Sequence, residues 1–418
     1  MPRFLLWIWL VAAAGTVRAE TTLRLSEGDA VTRALAASPM VIRSDRARDV
    51  TAAQRVGARV LLPANPVASA SGGHRSDRSG SVPPAVGPEW SARLEQTIEI
   101  AGQRGARMRE ADRAVGAAAA EQRLARVETR AQARTAYVML QVARAQLDAA
   151  ARRVELGDQL LRAAEARVRA GASGDVELHL AEVERARFEH ERIEAALAAE
   201  EAERALDLLI GVSPGVRIET TTALAAPPAA RGDAAALVQA AVERRAERKL
   251  VSASIAHVDA AATRLRREIV PNPTLYFDVA GQQPGQLYLG GGVALPLPLW
   301  RRNQGELAHA LAERRRLQDE DRLLVRGIEL EVAAALKTLT TRQAEATLYA
   351  EKIVPAAEAN VELVRQGWLG GKFDLFRVVQ VAREAADARK RQLEVMGDLW
   401  RARIALDRAT GEGEGGTS

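Results

Sequence analysis

The sequence predicts a mainly α protein with a small β part, built from a helix, hairpin, long helix, helix unit used twice. Three features carry that expectation: the placement of proline, an apolar repeat of about 3.6 residues between the prolines, and a few segments that alternate with period two. Proline is excluded from helix interiors because it lacks a backbone N–H and its ring collides with the preceding turn. None occurs between Pro88 and Pro214, and after Pro298 only Pro355 remains, so two very long helical territories are expected. Proline clusters at 63–88, 214–228 and 271–298 mark the non-helical zones.

In the first territory Leu124, Val127, Ala131, Thr135, Val138, Val142, Ala145 and Ala149 recur at steps of three and four, a helical stripe. Alanine on the neighbouring faces (Ala117 to Ala120, Ala143, Ala149 to Ala151) lets several partner helices approach closely, which predicts a sheath of packed helices. A helix over about 104–169 would be close to ~100 Å long at about 1.5 Å per residue.

The non-helical zones hold the strands. From Trp90 to Ile100 the even positions are Trp90, Ala92, Leu94, Gln96, Ile98 and Ile100, and the odd ones are Ser91, Arg93, Glu95, Thr97 and Glu99. Such alternation gives a strand one oily and one charged face. Leu275, Phe277 and Val279 alternate in the same way, as do Leu287, Leu289, Val293, Leu295, Leu297 and Leu299, and Val67 to Arg75 is a weaker strand. The strands are expected at about 67–75, 90–100, 274–282 and 287–299, as two hairpins.

A second copy of the layout is visible by superposition of the chain on itself. One offset lays Val31, Ala34, Asn65 and Pro66 on Val238, Ala241, Asn272 and Pro273. A slightly smaller one lays Leu124 on Leu324, Gly171 on Gly371, and Ala205, Leu206 and Asp207 on Ala405, Leu406 and Asp407. The expected organisation is a first repeat over 20–211, a linker over 212–232, a second repeat over 233–411 and a flexible tail over 412–418. Residues 1–19 read as a secretory signal peptide, with Arg3, an apolar run from Phe4 to Ala14, and Val17-Arg18-Ala19 before Glu20. Its removal takes away two arginines and no acid, so the net charge falls from +5 to +3, too mild to argue for nucleic acid.

Composition excludes much chemistry. The chain has no cysteine, hence no disulfide, thiol nucleophile or lipidated N-terminal cysteine. The five histidines offer no pair at helical metal-binding spacing, and no metal or cofactor is expected. Gly367 to Phe373 has the wrong glycine spacing for a phosphate loop and carries Phe373 where Ser or Thr would hold magnesium, so it reads as a corner between helices. No catalytic constellation stands out, and function is expected to come from shape.

Four strands of about ten residues match transmembrane β-strands in length, yet four cannot close a barrel, and open edges cannot face lipid. Closure shared between subunits follows. In its layout, in the Asn-Pro before each first strand, and in the fragments QTIEIAGQRGAR (96–107), LPLPLWRRNQGEL (295–307) and GKFDLFRVVQVARE (371–384), the chain resembles the TolC-type outer-membrane efflux channels. The first two fragments look most like the cobalt-zinc-cadmium branch that serves heavy-metal pumps. The resemblance implies a homotrimer whose subunits form one twelve-stranded outer-membrane barrel, continued by a periplasmic α-helical barrel. It also implies two partners, a periplasmic membrane-fusion adaptor and an inner-membrane RND pump. An outer-membrane factor for drug efflux or type I protein secretion is the alternative, ahead of a periplasmic coiled-coil or adaptor protein.

Such channels commonly carry acidic residues six and nine positions after the second-corner glycine. Counting from Gly371 gives Arg377 and Gln380 here. Candidate residues of a periplasmic aperture or adaptor-docking corner are therefore Gly171, Asp175 and Glu177 in the first corner and Gly371, Asp374, Arg377 and Gln380 in the second, with closure expected from helix packing and hydrogen bonding.

Overall fold

The computed structural model describes residues 22–75, 87–213, 215–230, 232–283 and 286–412. The expected signal peptide and residues 413–418 of the expected tail lie outside them. The first half runs β1 (Thr22–Leu25), α1 (Glu27–Ala37), α2 (Pro39–Ala58), β2 (Val67–Arg75), β3 (Gly87–Thr97), α3 (Gln103–Arg169) and α4 (Asp175–Ile210). After β4 (Arg217–Thr220) the second half runs α5 (Ala234–Arg244), α6 (Ala246–Arg267), β5 (Thr274–Gln283), β6 (Gln286–Ala294), α7 (Gln304–Leu348), a π turn (Tyr349–Ile353), α8 (Val354–Leu369) and α9 (Leu375–Thr410).

Local chemistry sets the boundaries twice over. Ser26 and Asp29 form a reciprocal capping box at α1, and Asp233, at the corresponding place in the second half, caps α5 by accepting from the Ala236 amide at 2.8 Å. The last helices of both halves end on left-handed glycines, Gly211 and Gly411. The long helices differ by one residue. Thr129, Ala133 and Leu140 of α3 are buried, as are their counterparts Ile328, Val332 and Leu339 of α7, and the offset within each of these pairs is one short of the offset between the corner glycines Gly171 and Gly371. The π turn at 349–353 takes up that residue, and Pro355, lacking an N–H, is accommodated at the start of α8.

Burial corrects the phase of the α3 stripe. Residues 124, 127, 131 and 135 are only half-buried, and the deepest line runs through Ala125, Thr129, Ala133, Tyr137 and Leu140. Small side chains here decide how closely helices approach, so alanine marks the contact better than hydrophobicity does.

The four hairpin strands form one antiparallel sheet in the order β2-β3-β5-β6. Its register puts Ala68, Leu94, Phe277 and Gly291 in one row and Val67, Glu95, Tyr276 and Gly292 in the next. One face is therefore oily (Trp90, Leu94, Leu275, Phe277, Leu289, Val293), and all of these side chains are exposed. The other carries the Arg93–Asp278 ion pair at 2.5 Å, the Thr97–Thr274 hydroxyl contact at 2.8 Å and Ser71 beside Ser91. The glycines of β6 make room on that face: a Cβ on Gly290 or Gly292 would run into the hydroxyl end of Tyr288 or Tyr276. The outer edges of β2 and β6 pair with no strand among the described residues.

Three expectations about extent need correction. The last strand ends at Ala294 instead of 299, because Pro296 and Pro298 cannot donate to the ladder; Leu295, Leu297 and Leu299 stay exposed. The second strand spans 87–97 instead of 90–100. The segment 212–232 is no plain linker, since β4 within it pairs in parallel with β1. Ile218 is buried there, Tyr137 donates to the Leu25 carbonyl at 3.0 Å and meets the Thr222 hydroxyl at 2.8 Å, and Trp400 donates to the Ala225 carbonyl at 2.7 Å. A four-residue strand of alternating Arg, Ile, Glu and Thr gives too short a pattern to be read from sequence.

Two ionic hubs join the halves. Arg134 of α3 reaches Glu27 at 2.5 Å and Asp407 of α9 at 2.8 Å. Arg245, buried at the α5–α6 break, holds Glu247 at 2.7 Å and also Glu331, while Arg408 meets Glu128 at 3.0 Å. Burial pushes the Glu247 carboxyl up, but the hydrogen bond from Arg245 and the charge of Arg408 hold it below its ordinary value. Its stabilisation is therefore complete above the unfolded carboxyl pKa of about 4.3 and disappears as pH falls through the lower folded value. Glu247→Gln should lower the melting temperature at neutral pH and converge with the parent protein only once pH falls below that lowered folded value. Thermal melts in mild detergent from neutral to acid pH would show it, and a gap that persists in acid would remove Glu247 from the acid response.

Candidate functional site at the helical corners

The two corners lie at the end of the helices opposite the sheet. They share one backbone design. After α3, the Gly171 amide bonds to the Val168 carbonyl and the Ala172 amide to Arg167, both at 2.9 Å. After α8, the Gly371 amide bonds to the Trp368 carbonyl at 2.9 Å and Lys372 to Gly367 at 2.8 Å. Both glycines sit in the left-handed region, at φ of 67° and 74°, where a side chain would be strained.

The side chains differ. Asp374 is the N-cap of α9, its carboxylate accepting from the Arg377 amide at 2.9 Å, whereas the first corner has Gly174 at that place and no side-chain cap. Asp175, Asp374, Arg377 and Gln380 are exposed, and Gln380 donates to Glu384 at 3.3 Å. Glu177 is only partly exposed and faces Arg167 at 3.5 Å.

Arg167 ties the corners together, and sequence reasoning missed it. Its guanidinium lies 5.6 Å from the centre of the Trp368 ring, donates to the Trp368 carbonyl at 3.3 Å and pairs with Glu177. Trp368 itself is buried among Leu160, Ala164, Ala181, Leu375, Val378 and Val379, so residues of α3, α4, α8 and α9 share one small core. One helical layer further in, Arg383 of α9 grips the buried Glu184 of α4 with two hydrogen bonds, and that partner holds the arginine above its ordinary pKa. In a chain so rich in Arg and Glu, nothing in the spacing singles these pairs out.

Of the corner aromatics, Trp368 packs inside, while Phe373, lying over Gly367, and Phe376 remain exposed. Of the three acids that could have charged an aperture, Asp374 is engaged in capping and Glu177 in an ion pair; Asp175 is exposed. The chemistry available is a helix junction latched by packing and charge-assisted hydrogen bonds.

Comparison with known proteins gives this architecture its class. The outer membrane efflux protein family matches residues 33–212 and 229–412, and the chain belongs to that family. It is an outer-membrane channel protein with a large periplasmic helical part. Among curated proteins it is 29% identical over 327 residues to the cobalt-zinc-cadmium resistance protein CzcC of Cupriavidus metallidurans, covering 77% of each chain. Among solved structures, CusC, described for conformational changes accompanying folding and transmembrane channel formation, superimposes with a TM-score of 0.76 at 17% identity, over 93% of this chain and 92% of that one. The outer membrane protein VceC of Vibrio cholerae gives 0.73 at 18% identity, over 92% and 96%.

Asp374→Ala should cost about 1 kcal/mol through the lost cap, whereas Asp374→Asn, which can still accept from the Arg377 amide, should cost far less. Equilibrium unfolding of detergent-solubilised protein would separate the two; equal losses would mean that the charge and not the cap is what matters.

Proposed function

We propose that the protein is the homotrimeric exit duct of a tripartite efflux pump for heavy-metal cations. In this reading a periplasmic membrane-fusion adaptor and an inner-membrane RND pump feed the helical tunnel, and three subunits close a twelve-stranded barrel. The observation that carries it is the four-stranded sheet with one exposed oily face and two edges that are unpaired among the described residues. Strands of 9, 11, 10 and 9 residues suit a bilayer, and only pairing of β6 on one subunit with β2 on the next would satisfy their backbone groups in lipid. The metal substrate is supported by the similarity to CzcC. Cells lacking the protein should become sensitive to cobalt, zinc or cadmium, and the protein should migrate as a trimer on native electrophoresis in mild detergent. Unchanged metal tolerance together with drug hypersensitivity would move the reading to drug efflux.

Within the barrel, the oily face meets lipid and the face with Arg93, Glu95 and Asp278 lines the lumen. Leu94→Arg should then destabilise the folded channel by about 2 to 4 kcal/mol near the bilayer midplane, while Glu95→Lys should be tolerated. The folded trimer recovered from outer membranes measures the contrast, and equal tolerance would reverse the faces.

The corners form the periplasmic entrance, closed by packing and hydrogen bonds. Arg167→Ala removes the link to Trp368 and Glu177 and should raise single-channel conductance in planar bilayers. Asp175→Ala and Asp374→Ala should reduce cation selectivity, and Asp278→Ala should leave closure unaltered. Intact trimers with unchanged conductance and selectivity in all three corner variants would leave the corners as docking surfaces only.

A further inference from the structure

The four strand–helix junctions mark the periplasmic rim of the sheet: residues 59–66 lead into β2 and 98–104 leave β3, while 266–273 lead into β5 and 295–303 leave β6. These stretches are basic. They hold six arginines (Arg59, Arg104, Arg266, Arg267, Arg301 and Arg302) against two acids, and both acids are already taken, Glu99 by Arg107 at 2.5 Å and Glu268 by Arg264 at 2.7 Å. Arg104 is spent on the Arg59 carbonyl at 3.0 Å, whereas Arg59, Arg266, Arg301 and Arg302 are exposed and make no ion pair among the described residues. Helix chemistry does not account for Arg301 and Arg302, which stand just before α7, at the end where the helix dipole disfavours cations.

The same stretches are oily. Leu61, Ile100, Leu295, Leu297, Leu299 and Trp300 are all exposed, Trp300 by 82%. The last three leucines prolong, at the same spacing of two, the oily positions Leu287, Leu289 and Val293 of β6. The 9 residues of β6, at about 3.3 Å each and tilted by about 40°, rise about 23 Å, close to the ~25 Å apolar band of an outer-membrane barrel. The residues that follow therefore stand at its boundary. Their backbone suits a place with little water, because Pro296 and Pro298 have no N–H to satisfy and the Leu299 amide donates to the Leu297 carbonyl at 2.9 Å. Tryptophan beside arginine is the composition of a membrane interface.

We propose that this rim docks on the periplasmic leaflet by binding anionic phospholipid headgroups, with Leu297, Leu299 and Trp300 seated among the glycerol and upper acyl groups and the unpaired guanidinium groups on phosphate. The planar fork of arginine matches two phosphate oxygens at once, and its aliphatic stem lies readily along apolar surface. The inference rests on the barrel proposed above and adds what its periplasmic rim binds.

Two measurements test it. The protein in mild detergent would be titrated with a fluorescent phosphatidylglycerol and with the matching phosphatidylcholine. Phosphatidylglycerol should bind more tightly, and the double variant Arg301→Gln with Arg302→Gln should weaken it by about fivefold for each arginine removed. Arg266→Gln with Arg267→Gln is the second pair, in case the first fails to fold. Equal binding of the two lipids, unchanged in both double variants, would overturn headgroup recognition. Displacement of phosphatidylglycerol by inorganic phosphate at comparable concentration would make this a free-anion site and overturn docking on a membrane.

The chain contains no cysteine, so a fluorophore on Leu297→Cys or Leu94→Cys is read without background. In vesicles of phosphatidylcholine and phosphatidylglycerol, Leu297→Cys should be quenched best by a nitroxide near the headgroup and Leu94→Cys by one deep in the acyl chain. Quenching at Leu94→Cys with none at Leu297→Cys would overturn the rim and leave the barrel standing. Silence at both positions would overturn both.

Discussion

The constraint on which the rest of the molecule depends is that a β-strand in lipid must have both edges hydrogen-bonded. Each unsatisfied backbone group in hydrocarbon costs several kcal/mol, and an open strand edge carries several of them. The sheet satisfies β3 and β5 internally and leaves β2 and β6 open. Among the described residues, a single subunit thus leaves its sheet incomplete. In the proposed trimer, membrane insertion and assembly would become one problem, and the periplasmic helices would inherit the symmetry of the barrel.

Duplication answers that problem with one unit used twice. The two halves share caps, glycine stops and corner turns at matching positions, so a trimer would present six similar helical units to the tunnel. The repeats are not identical where it matters. The one-residue difference absorbed by the π turn shifts the outward face of α7 relative to α3, and Asp407, paired with Arg134, has its repeat counterpart in Asp207, whose carboxyl burial pushes above its ordinary value. The first half meets the second through ion pairs and through shared apolar clusters.

Much of this was legible in the sequence because the signals were long. The helix α3 repeats its pattern over many turns, the strands alternate over several residue pairs, and Asn-Pro marks the entry to each hairpin. What was illegible was short or depended on proximity. The β1–β4 pair rests on four residues each, and the true contact line of α3 is written in Ala and Thr, which carry little hydrophobic signal. Arg167, Glu184 and Arg383 look like any other charges on solvated helices until the fold brings α3, α4, α8 and α9 to one corner. The proposed site residues were placed by position along the chain, and the residues that latch them are set by the third dimension.

For the entrance proposed at the corners, latching by packing would suit a duct better than a ring of charge. Opposed carboxylates at a narrow mouth would repel and would bind divalent cations tightly, which hinders their release. Here Asp374 bonds to a backbone amide, and Glu177 is neutralised by Arg167. The strength of the proposed closure would then lie in Trp368 and its apolar neighbours, with one guanidinium bridging the two corners. A partner that bound the exposed Phe373, Phe376 and Val176 would act directly on the helices carrying this small core, so a shift of the corner backbone would break the Arg167 contacts first. Those contacts are partly exposed and individually weak, on the order of 1 kcal/mol, which would let binding energy of ordinary size open the proposed entrance without unfolding the helices behind it.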